Sequence, residues 1–281
     1  MASINQRIEQ FNNDLEQQVA SRTTQLQQTL TELEISKNEL QKALSKEKEL
    51  GDLKTRFVSM ASHEFRTPLS TILSSASLVS KYITEEEQEK RDKHIGRIKS
   101  AVNHLTEILN DFLSIEKIED GNMIANFSIF DMKELLTTII NELTGIVKPG
   151  QEIIYLHQGG QTITLDPFLL RNVMINLLSN AIKFSPENSK IKVDSKFNNG
   201  QIEIRIKDSG IGIPIKDKQH LFERFFRGAN VTNIQGTGLG LHIVDKYVEL
   251  MDGEIDFTSK LDQGTTFILT FKATNNQKII L

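Results

Sequence analysis

The sequence predicts an α + (α+β) chain: an N-terminal coiled coil, a helical hairpin that forms a dimeric four-helix bundle, and an α/β sandwich. Three observations carry this. Residues 1–50 contain neither proline nor glycine, and their apolar residues recur mostly at intervals of three and four. Two further apolar stripes of that spacing flank the polar break Thr84-Glu85-Glu86-Glu87. Beyond Gly121 the period changes, and short β-type runs alternate with helical ones.

In the first segment the apolar positions are Ile4, Ile8, Phe11, Leu15, Val19, Leu26, Leu30, Leu33, Leu40 and Leu44. Two successive intervals of four, Phe11–Leu15–Val19, read as a stutter. So polar a helix buries too little to stand alone and needs a partner. Two readings remain level: a solvated spacer or a dimeric signal-carrying rod. The hairpin follows, with Val58, Ser62, Phe65, Leu69, Ile72, Ala76, Val79 and Ile83 on its first helix and Ile95, Ile98, Val102, Leu105, Leu109 and Phe112 on its second. Gly121 stands where a helix ends. One hairpin covers one side of each helix, so two copies are needed for a bundle. Domain limits are expected at 1–52, 53–122 and 123–281.

In the last segment, strands are expected over 127–130, 151–157, 161–165, 190–197, 201–208, Gly253–Lys260 and Gly264–Lys272. Helices are expected over 131–146 with Asp131 as N-cap, over 167–184 with Asp166 as cap and Pro167 first, and up to Met251. The result is one sheet covered by helices.

Composition narrows the chemistry. The chain of 281 residues carries 33 basic and 37 acidic side chains, a net charge of −4, which supports no nucleic-acid partner. It has no cysteine, which excludes disulfides, thiolate metal sites and a Cys nucleophile. No apolar run is long enough to span a membrane and no signal peptide opens the chain. The sequence therefore reads as soluble and cytoplasmic, with an upstream sensor module, membrane-attached or not, possible before Met1-Ala2.

Two constellations carry function. On the hairpin, Ser62-His63-Glu64-Phe65-Arg66-Thr67-Pro68-Leu69-Ser70 places His63, Glu64 and Thr67 away from the apolar stripe at about 100° per residue. Neutral imidazole is a nucleophile toward phosphorus, and an adjacent carboxylate orients the ring. Pro68 removes a helical hydrogen bond beside His63 and is expected to kink the helix. On the helix 167–184, Asn176, Asn180 and Lys183 lie one turn apart on the polar face. Amide oxygens suit Mg²⁺, and lysine suits phosphate. Asp208-Ser209-Gly210-Ile211-Gly212-Ile213 closes a strand, and Gly236-Thr237-Gly238-Leu239-Gly240-Leu241 opens a helix whose N–H groups can face phosphate. Walker and Rossmann readings fail, because neither the strand–loop–helix context nor a Walker lysine is present.

The first constellation resembles the H-box of sensor histidine kinases of the HisKA type. The resemblance implies that His63 accepts phosphate, Glu64 assists and Thr67 supports phosphatase activity. The second set, with Asn-Leu-Leu-Ser-Asn (176–180) as N-box and Leu221-Phe222-Glu223-Arg224-Phe225-Phe226-Arg227 as F-box, resembles the ATP-binding domain of the GHKL superfamily. It implies that Asn180 holds Mg²⁺, Lys183 meets phosphate, and Asp208, supported by Thr265, binds the adenine amino group. Gly236, Gly238 and Gly240 become the hinge of a lid, with Asn176, Phe184, Gly210, Gly212, Ile213, Arg227 and Leu239 around the nucleotide. Arg224 and Arg227 have two possible partners, the γ-phosphate or an acidic bundle surface. Phe222, Phe225 and Phe226 are expected to pack the lid. Residues 15–23 resemble the linker that joins sensor modules to such kinases. The implied function is ATP-dependent autophosphorylation of a homodimer on His63, transfer to a response-regulator receiver domain, and regulator phosphatase activity. The alternatives are another GHKL ATPase clamp and an inactive dimer scaffold.

Overall fold

The computed structural model describes residues 2–198, 200–231 and 236–272; the side chains of 2–10, 46, 49–50, 52–61, 63, 85 and 229 lie outside that description. The chain divides into two units, residues 1–61 and 62–281.

The first unit is helical, the N-terminal part of α1 (Ala2–Val79). Its apolar side chains from Phe11 to Leu44 are all exposed, Leu40 at 70%. Threonine hydroxyls bond back one turn, as in Thr23 Oγ1 to the Val19 carbonyl at 2.7 Å, so Thr23, Thr24, Thr29 and Thr31 are satisfied within the helix.

The second unit begins with the helical hairpin. The remainder of α1 runs through Pro68 to Val79; the lost hydrogen bond does not end the helix. A 3₁₀ turn at Glu85–Glu87 leads into α2 (Gln88–Glu119). His94 Nδ1 lies 3.4 Å from Ser75 Oγ, and its ring stacks on Tyr82 with centroids 5.8 Å apart. Arg91 Nη1 donates to the Tyr82 carbonyl at 2.7 Å, which ties the turn to α2. Phe65 meets Phe112 edge-on. Gly121 takes φ +67 just past the helix, the left-handed position expected of it.

The buried apolar positions of the hairpin differ from the expected stripe. Ala101 and Ile108 are buried, whereas Leu69, Leu73, Val102, Leu109 and Leu113 remain exposed. Ala101 and Ile108 lie outside the expected stripe; of the stripe itself Phe65, Ile72, Val79, Ile98, Leu105 and Phe112 are half-buried and the other described members are exposed, so within one chain none of it is fully covered.

The sandwich follows. A short antiparallel pair, β1 (Ser128–Asp131) with β3 (Thr162–Leu165), accompanies a five-stranded sheet of order β2-β4-β5-β7-β6. Its strands are β2 (Glu152–Gly159), β4 (Lys190–Asn198), β5 (Gln201–Lys207), β6 (Gly253–Lys260) and β7 (Gly264–Lys272). Only β2 and β4 run parallel; the other pairs are antiparallel. Side chains alternate strictly on β5, with Ile202, Ile204 and Ile206 buried. That face meets α3 (Met132–Leu143), α4 (Pro167–Phe184) and α5 (Gly240–Leu250) through one core containing Leu136, Leu170, Val173, Leu177, Val193, Val244 and Leu269.

Capping sets the helix starts. Asp131 accepts from the Glu134 amide at 2.9 Å. Asp166 Oδ1 accepts from the amides of Phe168 and Leu169, and its Oδ2 from Asn126 at 2.7 Å. One buried carboxylate thus starts α4 and anchors the segment arriving from the hairpin. The helix expected over 131–146 ends earlier, at Leu143, and its last turn tightens to 3₁₀ at Thr144–Ile146. Residue 199, in the β4–β5 turn, lies outside the described residues.

Candidate functional site

Helix α4 buries Val173, Leu177 and Ala181 and turns Asn176, Asn180 and Lys183 the other way. These three line a cavity of about 620 Å³. Across it stands Asp208, at the end of β5. Its Oδ1 accepts from the amides of Gly210 at 2.7 Å and Thr265 at 3.1 Å, which leaves Oδ2 as the oxygen available to a ligand in the cavity. Burial pushes the Asp208 carboxyl above the ordinary aspartate range, and the two backbone donors oppose that shift.

Two glycines are required by their surroundings. Gly212 has φ +65, and a Cβ there would stand 2.1 Å from the Lys260 carbonyl oxygen. Gly240 starts α5, and a Cβ there would stand 2.2 Å from Asn176 Oδ1. The close approach of Gly240 brings the start of α5 against the polar face of α4. Lys183 Nζ lies beside Gly236, 3.3 Å from where a Cβ would be. Burial lowers the Lys183 pKa, with the Arg227 charge adding to it; Glu64 and Glu107 oppose the shift.

Of the expected nucleotide residues, Asn176, Asn180, Lys183, Phe184, Asp208, Gly212, Ile213, Arg227, Gly236, Gly238, Gly240 and Thr265 line this cavity. Gly210 and Leu239 do not line it. Gly210 supports Asp208 from behind, and the Leu239 side chain is fully buried in the core while its amide donates to Thr237 Oγ1 at 3.2 Å. Of the three F-box aromatics expected to pack the lid, Phe222 meets Phe257 edge-on and packs with Phe225 on the sandwich core, whereas Phe226 lies beside His220 and lines the cavity.

On the hairpin, Thr67 is exposed as expected. Glu64 is not. It was expected on the wet face and is 9% exposed. The reason is tertiary: Arg227 of the F-box covers it, with Nη1 3.8 Å from Glu64 Oε1. Arg224 forms an ion pair with Glu119 and donates from Nε to His242 Nε2 at 3.2 Å. Both arginines thus meet acidic residues of the hairpin. His63 lies in α1, one residue before Glu64; its side chain is outside the described set.

The cavity also has a wall that the motifs do not announce. His104, Glu107, Ile108 and Asp111 of α2 line it. Asp111 Oδ2 accepts from Thr237 Oγ1 at 3.2 Å. Burial raises the Asp111 pKa to about 6, with the Thr237 bond opposing and Glu107 adding. A signal was present, because 104, 107 and 111 are spaced by three and four, but a polar helical stripe does not name its partner.

The donor set fits a magnesium nucleotide. It has amide oxygens and an ammonium on one helix, a carboxylate acceptor at the far wall, and glycines that let backbone amides approach.

The comparisons agree with this arrangement. Residues 53–121 match the family described as the His Kinase A (phospho-acceptor) domain. Residues 165–275 match the family described as histidine kinase-, DNA gyrase B- and HSP90-like ATPase. The chain is 32% identical to the signal transduction histidine-protein kinase BarA of Escherichia coli (strain K12), over 96% of this chain and 30% of that protein. It spans about a third of the length of the curated relatives it matches. Full-length ShkA, solved in complex with AMPPNP, is 27% identical with a TM-score of 0.59, over 76% of this chain and 45% of that one. Histidine kinase ThkA, solved in complex with the response regulator protein TrrA, has a TM-score of 0.58 at 22% identity, over 79% of this chain and 63% of that one, and shows the shared fold. Among the described residues no helix is long and apolar enough to cross a membrane.

Proposed function

The chain belongs to the sensor histidine kinases, and from that premise we propose that it transfers the γ-phosphoryl group of ATP to His63 and from there to an aspartate of a response-regulator receiver domain. One observation carries the reading: Asn180, Lys183 and Asp208 converge on a cavity whose rim residue Arg227 touches Glu64, the neighbour of His63. The adenine amino group donates to Asp208, and Lys183 and Arg227 face the phosphates. Asn180 is the amide that would hold Mg²⁺, which supplies charge neutralisation across the phosphates when bound. An unprotonated imidazole nitrogen of His63 forms the P–N bond as the bond from γ-phosphorus to the bridging oxygen breaks, and ADP leaves with that electron pair. Glu64 orients the ring; Thr67 serves the reverse, hydrolytic reaction at the regulator.

The working form is a homodimer. The bare apolar residues Leu69, Leu73, Val102, Leu109 and Leu113 are the half-stripe a second hairpin would cover. The exposed stripe of 11–44 favours the dimeric rod over the spacer. We place the domain limits at 52/53 and 122/123. A GHKL clamp has no use for a phospho-acceptor hairpin, and an inactive scaffold has no use for an intact donor set, so neither alternative is favoured.

The test is incubation with γ-labelled ATP. The expected label is acid-labile, base-stable and absent from His63→Gln, while Mg·ATP affinity stays unchanged because Asn180, Lys183 and Asp208 of the sandwich supply the donor set. His94 and His104 variants serve as controls. Undiminished labelling of His63→Gln overturns the assignment.

A further inference from the structure

The start of α5 is the part of the cavity best suited to a phosphate, because its backbone amides have no helical partner. It is already engaged. The Leu239 amide donates to Thr237 Oγ1, so the Thr237 hydroxyl hydrogen is free to turn outward, and it is given to Asp111 Oδ2. The chain of contacts runs from the amide, through a hydroxyl, to a carboxylate belonging to the hairpin. The carboxylate therefore sits where an anion belongs, at one remove. A second carboxylate, Glu107, lines the same wall one turn away.

We propose that Asp111 is a nucleotide-site residue supplied by the hairpin: held by Thr237 beside the start of α5, it sets a carboxylate next to the place a phosphate takes and so lowers affinity for the triphosphate. The inference rests on the reading of the cavity as the ATP site. The cavity keeps about 620 Å³ with α2 in place, so the nucleotide enters alongside Asp111 rather than after its departure. Binding then brings polyanionic phosphate against a buried carboxylate, where a charge is screened less than at the surface. Adenosine, which carries no phosphate, is indifferent to that charge.

The charge is removable. The Asp111 carboxyl, raised to about 6 by burial, is ionised near neutral pH and takes up its proton as pH falls through that value. Repulsion is present above about 6 and fades below it. The groups around Asp111 are Glu107 and His104 on its own helix, Lys183 of α4, Arg227 of the F-box and Tyr247 of α5. All of these and Asp208 are kept in the variant, so the comparison between the two proteins isolates the Asp111 charge.

The experiment is calorimetric binding of Mg·ATP and of adenosine to the full chain and to Asp111→Asn, which keeps the side chain's volume and its acceptor for Thr237. At about pH 7.5 the variant is expected to bind Mg·ATP roughly three- to tenfold more tightly, with adenosine affinity unchanged. At about pH 5 the gap should close, because the wild-type carboxyl is then mostly neutral. Equal or weaker Mg·ATP binding by the variant near neutral pH overturns the inference. So does a matching change for adenosine, or a gap that persists at low pH; either marks a merely structural effect. If the wild type binds no ATP, the nucleotide reading fails and this inference falls with it. That outcome is distinct from equal binding by both proteins, which removes the inference alone.

Discussion

The sandwich and the hairpin carry their functional groups on different kinds of support. In the sandwich, Leu170, Val173, Met174, Leu177 and Leu178 on α4 are all at most 1% exposed, and the opposite face of that helix presents Asn176, Asn180 and Lys183. Its core is complete within one chain. In the hairpin, Leu73 is 71% exposed and Leu109 51%, while the acceptor helix holds His63, Glu64 and Thr67. Its core is half a core. The difference shows where each task can be done. Nucleotide binding needs geometry that one chain supplies by itself. The acceptor helix gains its full support only when a second copy arrives, and α2 of the same hairpin also walls the nucleotide cavity through Glu107 and Asp111, so a signal that moves the paired helices would reach the acceptor directly and the pocket through that one wall.

The largest expected effect sharpens this division on the hairpin side. Thr67→Ala should slow dephosphorylation of the phosphorylated regulator by about 10²–10⁴-fold while autophosphorylation stays within several-fold. Thr67 is exposed, available to a docked regulator, and absent from the cavity lining. Glu64→Ala should reverse the pattern, impairing autophosphorylation first, because Glu64 adjoins His63 and meets Arg227. Rates of label gain on the kinase and of label loss from the regulator are measured in parallel. Equal losses for Thr67→Ala would mean that the substitution merely disturbs the helix near Pro68.

The next effect would break the comparison if it failed. Leu177→Ala should cost about 2–5 kcal/mol of sandwich stability, since the side chain is 1% exposed in a closed core. Leu73→Ala should leave the sandwich transition unmoved and weaken the dimer by about tenfold in Kd. Thermal unfolding and sedimentation equilibrium of the full chain separate the two. A sandwich transition lowered as much by Leu73→Ala as by Leu177→Ala would contradict independent support.

The same contrast explains what was legible in the sequence. Helix α4 spans the predicted 167–184 because the Asp166-Pro167 start is written in local chemistry and the cap forms as expected. The last two strands also hold their predicted bounds, since alternation on a half-buried sheet is a local pattern. Twelve of the fourteen expected nucleotide residues line the cavity because family motifs mark them. What failed was tertiary. The burial of Glu64 depends on an arginine 163 positions away, and helical angles measured against one stripe are blind to it. Asp111 was missed for the same reason: its partner, Thr237, is 126 residues distant and belongs to another element. Leu239 and Gly210 belong to motifs that touch nucleotide, yet in this chain they act through Thr237 and Asp208.

The smallest expected effect tests the sandwich side and the placement of adenine. Asp208 offers one oxygen, Oδ1, to the backbone of Gly210 and Thr265, and keeps the other for the ligand. In Asp208→Asn the amide oxygen can still take the two backbone donors, so the local fold should survive. The amide nitrogen then faces the cavity. Against adenine it sets a donor opposite the donating amino group, which should cost about 1–3 kcal/mol, or roughly ten- to a hundredfold in ATP affinity. Guanine presents an acceptor at that position, so GTP should lose little or gain. The same logic gives a pH dependence in the wild type. The Asp208 carboxyl is held above the ordinary aspartate range by burial, so as pH falls it takes its proton before an exposed aspartate would, and its value as an acceptor declines. Binding of Mg·ATP and Mg·GTP to wild type and variant, with the dimer followed by sedimentation, completes the test. A parallel loss for both nucleotides would point to damage at the Gly210 and Thr265 bonds rather than at adenine, and undiminished ATP binding would place the base elsewhere. A weakened dimer would sink the larger claim, because the pocket and the half-open bundle would then not be separately supported.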